Sequence, residues 1–232
     1  MRMLAIEAGG PVLSAALFED GRAAGEAWLR APQRQTEQLA PLVAGLLERH
    51  GWPARGLDAV ACGQGPGSFT GLRSSMAFAT GLALGSSGLK LWAVPTLKAW
   101  AEAFAPSGAR KALVLLDGRR GQAYRGPLRR GSAGGWEFSS APGLVDLSAI
   151  LQDLEPGTVV LGDAAAGPEP RLSAQDALDS AALALAVGRL ASAELLAGSP
   201  QPAFEPEYLR RSEAELLWER LHPAAPAGTG GA

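Results

Sequence analysis

The residues best suited to chemistry in this chain lie in one glycine-rich stretch, Gly63-Gln64-Gly65-Pro66-Gly67-Ser68-Phe69-Thr70-Gly71, with Arg73 just beyond it. Gly63, Gly65 and Gly67 carry no side chain and tolerate positive φ, so successive N–H groups can turn toward an anion or toward neighbouring backbone. Ser68 and Thr70 add hydroxyls, and Arg73 is the only charge between Gly63 and Gly85. Two phosphate chemistries can be tested against the pattern. A P-loop needs a lysine for the phosphates and a following hydroxyl for magnesium, and no lysine occurs between Leu57 and Leu89. A dinucleotide fingerprint needs G-x-G-x-x-G and an acid about 20 residues on; here Ser68 takes the third glycine position and the next acid is Glu102. Neither motif is present, and the elbow reads either as a tight packing turn or as an anion site.

Other reactive groups are scarce. The two histidines are His50, beside Gly51 at a predicted helix end where it suits a capping role, and His222. Neither has metal-ligand spacing or a triad arrangement, so imidazole-rich metal sites and Ser-His-Asp chemistry are excluded by residue type. Cys62 is the sole cysteine, which rules out an internal disulfide and favours a reducing cytosol. The opening MRMLAIEAGG turns to acid and glycine too early for a signal-peptide core, and no transmembrane run is seen, so an intracellular soluble protein is expected. No cofactor is expected.

The elements that must position these residues follow from periodicity. Alternating strands are predicted at Met3–Glu7, Val12–Phe18 and Ala23–Leu29, the latter two joined at Asp20-Gly21. A helix is predicted over Thr36–His50, with Leu39, Leu42, Val43, Leu46 and Leu47 on one face and Pro41 in its early turns. The elbow leads into a helix over Leu72–Leu84 that has almost no polar face. Ala77, Gly81 and Gly85 repeat at four-residue spacing, as do Ser75, Ala79 and Ala83, giving small-residue ridges. A helix of this kind is covered all round, by its own core or by another chain. Further on come a strand at Lys90–Val94, a helix at Thr96–Phe104, strands at Ala112–Asp117 and Gln122–Leu128, a helix at Val145–Leu154, a strand at Thr158–Leu161 and an alanine-rich helix at Ala174–Leu196 whose Ala177, Ala181, Ala184 and Gly188 form a ridge.

The 232 residues are 47% hydrophobic with a net charge of -2, enough for one large domain or two small ones and no global reason for nucleic acid binding. The chain also begins again midway. Lys111–Gly118 with Gln122–Leu128 echoes Met3–Gly9 with Val12–Phe18: an apolar strand ending in an acid near glycine, then an antiparallel partner. Such duplication fits an α/β, actin-like (ASKHA) two-lobed fold with mixed sheets and flanking helices. The lobes are expected at 1–105 and 106–222, with 223–232 a disordered Pro/Gly/Ala tail. Arg119, Arg120, Arg125, Arg129 and Arg130, with Arg210 and Arg211, form a local basic strip that suits either a charge-protected sheet edge or contact with phosphates.

Taken in order, LAIEAGG, ALFEDG, RQTEQLAPLVAGLL, CGQGPGSFTGLRSSMAFATGLALG, VPTLKAWA, LLDGRRGQAY and PEYLR make the sequence resemble the TsaB (YeaZ) family from Met3 to Arg211. GPGSFTGLR with its small-residue helix is the most specific of these. The resemblance implies a non-catalytic accessory subunit in bacterial synthesis of threonylcarbamoyladenosine (t6A) on tRNA. It would bind a TsaD-like catalytic subunit, work with a TsaE-like ATPase, pair with itself when alone, and meet tRNA only through the complex. It also implies that the helices Thr36–Glu48 and Leu72–Leu84 form the partner surface, with Leu39, Leu42, Val43, Leu46, Met76, Phe78, Ala79 and Leu82 as candidates. On that expectation Met76→Arg abolishes association without unfolding the chain. Three positions depart from the family pattern: Glu7 stands for its aspartate, Ala8 for its hydroxyl residue and Gln35 for a common histidine. These changes remove a phosphate-turn hydroxyl and lower the expectation of ATP hydrolysis. An ATP-dependent kinase of the same superfamily, using the elbow and Asp117, is the alternative; a peptidase lacks a nucleophile, base or metal set.

Overall fold

The computed structural model describes residues 1–30, 34–150, 154–164 and 180–210, together with Trp218, Leu221 and His222. Its first sheet opens with β1 (Arg2–Glu7), β2 (Val12–Glu19) and β3 (Arg22–Arg30), antiparallel in sequence. Asp20 and Gly21 turn the β2–β3 hairpin with φ of 50° and 79°, the paired positive angles that an Asp-Gly hairpin supplies. After α1 (Gln35–Arg49), β4 (Ala59–Gly63) joins the other side of β1 in parallel; α2 (Phe69–Leu84) then returns the chain to β5 (Lys90–Val94), parallel to β4. The resulting order is β3-β2-β1-β4-β5.

The central strands β1, β2 and β4 of this sheet are buried on both faces because they are apolar at odd and even positions alike, whereas the edge strand β3 is largely exposed. Leu4, Ile6, Leu13, Leu17, Val60 and Cys62 face α1 and α2. Met3, Ala5, Ala16, Phe18, Ala61 and Trp92 face the opposite way, toward the alanine-rich helix described below.

The second sheet starts after α3 (Thr96–Phe104). It contains β6 (Lys111–Arg119), β7 (Gln122–Arg130), β8 (Trp136–Phe138), β9 (Gly143–Asp146) and, after the short α4 (Leu147–Ile150), β10 (Thr158–Leu161). Its order is β10-β6-β7-β8, with β9 on the other end of β7. The two sheets share one plan: an antiparallel run outward from the first strand and a parallel strand on its inner side. The fold is thus the duplicated, two-lobed actin-like α/β architecture. α5 (Ala182–Leu196) lies on the first sheet, where a Cβ at Gly188 would collide with the Phe18 ring. Leu97, Trp100 and Ala101 of α3 and Leu183 of α5 pack with Ala112, Val114, Leu128 and Trp136, so one core joins the lobes.

Several boundaries differ from expectation. α2 begins three residues before Leu72 because Ser68 accepts a hydrogen bond from the Gly71 N–H and caps it. Residues 145 and 146 are strand, not helix: β9 takes the free edge of β7, and the helix starts only at Leu147. Trp136–Phe138 pairs as a strand although its run is too short to show periodicity. Residues 180 and 181 precede α5; the expected helical residues 174–179, Arg211 and the expected tail 223–232 lie outside the described residues.

Candidate functional site

The glycine elbow connects β4 to α2 at the end of β1, and the N–H groups of Gln64, Gly65 and Ser68 are spent inside the chain. The Ser68 N–H donates to the Gly9 carbonyl at 2.7 Å, the Gln64 N–H to the Val94 carbonyl at 2.9 Å, and the Gly65 N–H to the Thr96 hydroxyl at 3.1 Å. Glycine is required at Gly71 because a Cβ there would strike the Ala8 carbonyl oxygen, and at Gly67 because one would lie 2.7 Å from the Gly9 carbonyl oxygen. Gly67 and Gly71 thus serve backbone packing, pressing the elbow onto the turn that follows β1. Ser68 caps α2, and Thr70 and Arg73 stand exposed in its first turns.

Glu7 sits at the centre of this junction, 1% exposed. Its carboxylate accepts from the Gly9 N–H at 2.6 Å and from the Thr96 hydroxyl at 3.1 Å, and Gly63 packs directly against it. Burial pushes the carboxyl above its ordinary range, only partly offset by these donors and by the Ala8 amide. Burial, with Glu7 beside it, also pushes the Cys62 thiol up, leaving it inert. The sign for stability follows. Below about pH 4 both folded and unfolded chains hold the Glu7 proton; above about pH 4.3 the unfolded chain ionises first, so stability falls as pH rises. Glu7→Gln, which mimics the protonated carboxyl, is expected to flatten that decline, read as urea midpoints at mildly acidic and mildly alkaline pH.

The two helices expected to carry a partner surface divide cleanly by face. Leu39, Val43 and Leu46 of α1 and Met76 and Ala79 of α2 are each at most 5% exposed, sealed in the chain's own core. Leu42, Phe78 and Leu82 are only partly buried. Both faces of α2 are apolar or small, so its sequence alone does not tell inside from outside. Of the two small-residue ridges, Ser75 and Ala79 face inward while Ala77, Gly81 and Gly85 face outward, beside exposed Thr80 and Leu84. Leu84 is 87% exposed. Ala40 and Ala44 of α1 are exposed alongside. Between the helices runs a groove of about 400 Å³ lined by Thr36, Leu39, Ala40, Arg73, Ser74, Ala77 and Phe78. The Thr36 and Ser74 hydroxyls pair across it at 2.6 Å.

Gly81 is the most telling residue on that face. A Cβ there would meet nothing within 4 Å, so among the described residues no neighbour requires glycine in mid-helix. Gly81→Ala is therefore expected to stabilise the isolated chain by about 0.5–1 kcal/mol, seen as a higher urea midpoint.

One feature of the site was not legible in the sequence. Residues Pro206–Arg210 return to the elbow: the Glu207 N–H donates to the Gln64 carbonyl at 2.7 Å, and the Tyr208 ring packs on Phe69 at a 30° tilt with centroids 4.6 Å apart. The Arg73 Nε–H donates to the Tyr208 hydroxyl at 2.8 Å. Its partners lie 135 positions apart, beyond any periodicity.

The basic strip, by contrast, is largely consumed internally. Arg130 contacts Glu102 at 3.7 Å and the Gly134 carbonyl at 2.8 Å and lies over the Trp136 ring; Arg129 faces Glu137 at 3.8 Å; Arg210 donates to the Gly118 carbonyl at 2.6 Å. Arg119 and Arg120 occupy the β6–β7 turn at φ of 63° and 55°. Arg125 is partly buried on β7. Asp117, the second lobe's counterpart of Glu7, accepts from the Arg119 N–H at 2.7 Å, and its own N–H donates to Asp163 at 2.7 Å. His50 caps α1, its Nδ1 2.9 Å from the Leu46 carbonyl oxygen. Among the described residues no helix is long and apolar enough to cross a membrane.

The duplicated sheets and the internally committed elbow define an actin-like two-lobed protein whose phosphate-type turn is packed against its own first strand. Comparison with known proteins agrees. Residues 30–135 match the family model described as TsaD, tRNA N6-adenosine threonylcarbamoyltransferase. The Escherichia coli K12 "tRNA threonylcarbamoyladenosine biosynthesis protein TsaB" is 36% identical over 137 residues, 59% of this chain and 58% of that protein. The Haemophilus influenzae protein of the same name is 34% identical over 95 residues, 40% of each chain. The solved structure of YeaZ from Pseudomonas aeruginosa superposes with a TM-score of 0.71 at 23% identity, covering 90% of this chain and 99% of that one. Over these stretches the chain is similar to TsaB (YeaZ) proteins, and it shares their fold. The matched stretches span 58% and 40% of the two curated relatives' own length.

Proposed function

We propose that this chain is a non-catalytic accessory subunit of the t6A modification machinery. It binds a TsaD-like catalytic subunit through the outer faces of α1 and α2 and acts with a TsaE-like ATPase in the cytoplasm. The observation that carries this reading is the outer face of α2 from Ala77 to Gly85, which bears no charge and has no partner among the described residues, with Leu84 exposed and no described neighbour calling for glycine at Gly81. A helix that gives up stability for glycine and bare backbone on its solvent side is shaped for close approach by another helix. The names of the relatives supply the pathway, and the match to the transferase family model points to a partner of the same fold. Such a contact is expected to bury about 1,200–2,000 Å². The same face serves self-pairing when the catalytic subunit is absent, and tRNA is met through the complex.

The absence of catalysis in this chain is supported by residue type. The Gln64, Gly65 and Ser68 N–H groups of the elbow are committed, Ala8 lacks the hydroxyl of a phosphate turn, and α1 carries no imidazole ahead of its cap at His50. Calorimetric titration of the chain into the purified transferase subunit of the same organism tests the reading. A saturable complex is expected; no binding, or ATP turnover by this chain alone, contradicts it.

A further inference from the structure

We propose that Arg73 is the polar anchor of this docking face and that it takes a carboxylate from the partner helix seated in the α1–α2 groove. The inference rests on the docking reading above and adds the chemistry of the occupant. Arg73 is held as a fixed fork. Its guanidinium carbon lies 3.8 Å from the Phe69 ring centroid and 5.6 Å from that of Tyr208, and its Nε–H is spent on the Tyr208 hydroxyl at 2.8 Å. The terminal N–H groups find no acceptor and no acid among the described residues. The closest acid to the groove on α1, Glu37, is already paired with Arg34 at 3.1 Å.

Arg73 is also the single charge lining the groove, between apolar Leu39, Ala40, Ala77 and Phe78. A helix laid there withdraws the guanidinium from water, and a covered cation without an anion is strongly disfavoured, so the occupant must bring one. The two terminal nitrogens present a pair of parallel N–H groups on one free edge, which matches a singly charged carboxylate in bidentate geometry. A phosphate group, with up to two charges, would call on a second cation, and Arg73 is the single charge lining the groove. Tyr208 is then a positioning residue. Its ring and hydroxyl fix the plane of the fork, and the Glu207 N–H fixes Tyr208 in turn by tying the strap to the elbow.

The test measures affinity of the full chain for the purified transferase subunit at low and high salt. Arg73→Gln is expected to weaken binding at least about tenfold and to flatten its salt dependence. Arg73→Lys keeps salt dependence but recovers only part of the affinity, and Tyr208→Phe, which keeps the stack, weakens binding about threefold. Gly81→Leu serves as a reference: it blocks helix approach and lowers affinity while leaving the salt dependence of residual binding intact. If Gly81→Leu fails to bind while Arg73→Gln binds as the parent does with the same salt dependence, the carboxylate proposal is overturned and docking stands. If Arg73→Gln loses only self-association in sedimentation, the carboxylate belongs to a second copy and the proposal is overturned. If the parent does not bind, or Gly81→Leu binds as the parent does, the docking reading falls and this inference with it.

Discussion

Met76→Arg is expected to yield no folded protein, whereas Ala77→Arg, one residue along the same helix, is expected to fold as the parent does. Met76 is 5% exposed and packs in the cluster of Leu39, Val43, Leu46 and Ala79 beneath the first sheet. An arginine there both overfills the core and strands a charge in it, a loss of about 4 kcal/mol or more, comparable with the whole stability of a domain. Ala77 is exposed on the opposite side of α2, where a surface substitution changes stability by about 0.5 kcal/mol or less. Circular dichroism melts of the two variants check the pair. Folded Met76→Arg with a parent-like melt would place that side chain outside the core.

The second large effect belongs to the same Ala77→Arg variant. It is expected to lower affinity for the transferase subunit by about a hundredfold or more while leaving the melt unchanged. Ala77 forms the floor of the groove beside Ala40 and continues one turn later into Gly81, so a long cation there occupies the space a partner helix must enter. It would also stand one turn from Arg73, adding like-charge repulsion to any remaining contact. Calorimetry with the folded variant reads the result directly. Parent-like affinity would move the docking face elsewhere.

The particular elements show why some of this was legible in the sequence. Strands β1 and β5 and helix α3 announce themselves through apolar runs bounded by Gly, Pro or acid, and the Asp20-Gly21 hairpin through turn chemistry. The duplication was readable because each lobe repeats an acid at a strand end, at Glu7 and Asp117. What periodicity could not assign is sidedness on α2. When Ser75 and Ala79 lie on one ridge and Ala77 and Gly81 on another, both faces look fit for burial, and only the packed sheet reveals which is filled. Five of the eight expected surface residues therefore belong to the core, and the residues left on the outer side of α2 are small ones noted only as a ridge. The role of the elbow was undetermined for a similar reason: glycines that admit a ligand and glycines that admit a neighbouring backbone are the same residues until the Ala8 and Gly9 carbonyls are in place. Helix α4 and strand β9 were misread because residues 145 and 146 pair with β7, a contact 20 or more positions away that local propensity does not record.

Cys62 makes the central claim directly measurable, because the only thiol of the chain is buried and inert. Ala77→Cys would introduce a single reactive thiol on the outer face of α2, and Ala193→Cys one on the exposed side of α5. Alkylation rates of both are to be followed with and without the purified transferase subunit. The account predicts that saturating partner slows alkylation at position 77 at least about tenfold and leaves position 193 unchanged. Equal rates at position 77 with and without a bound partner would contradict it.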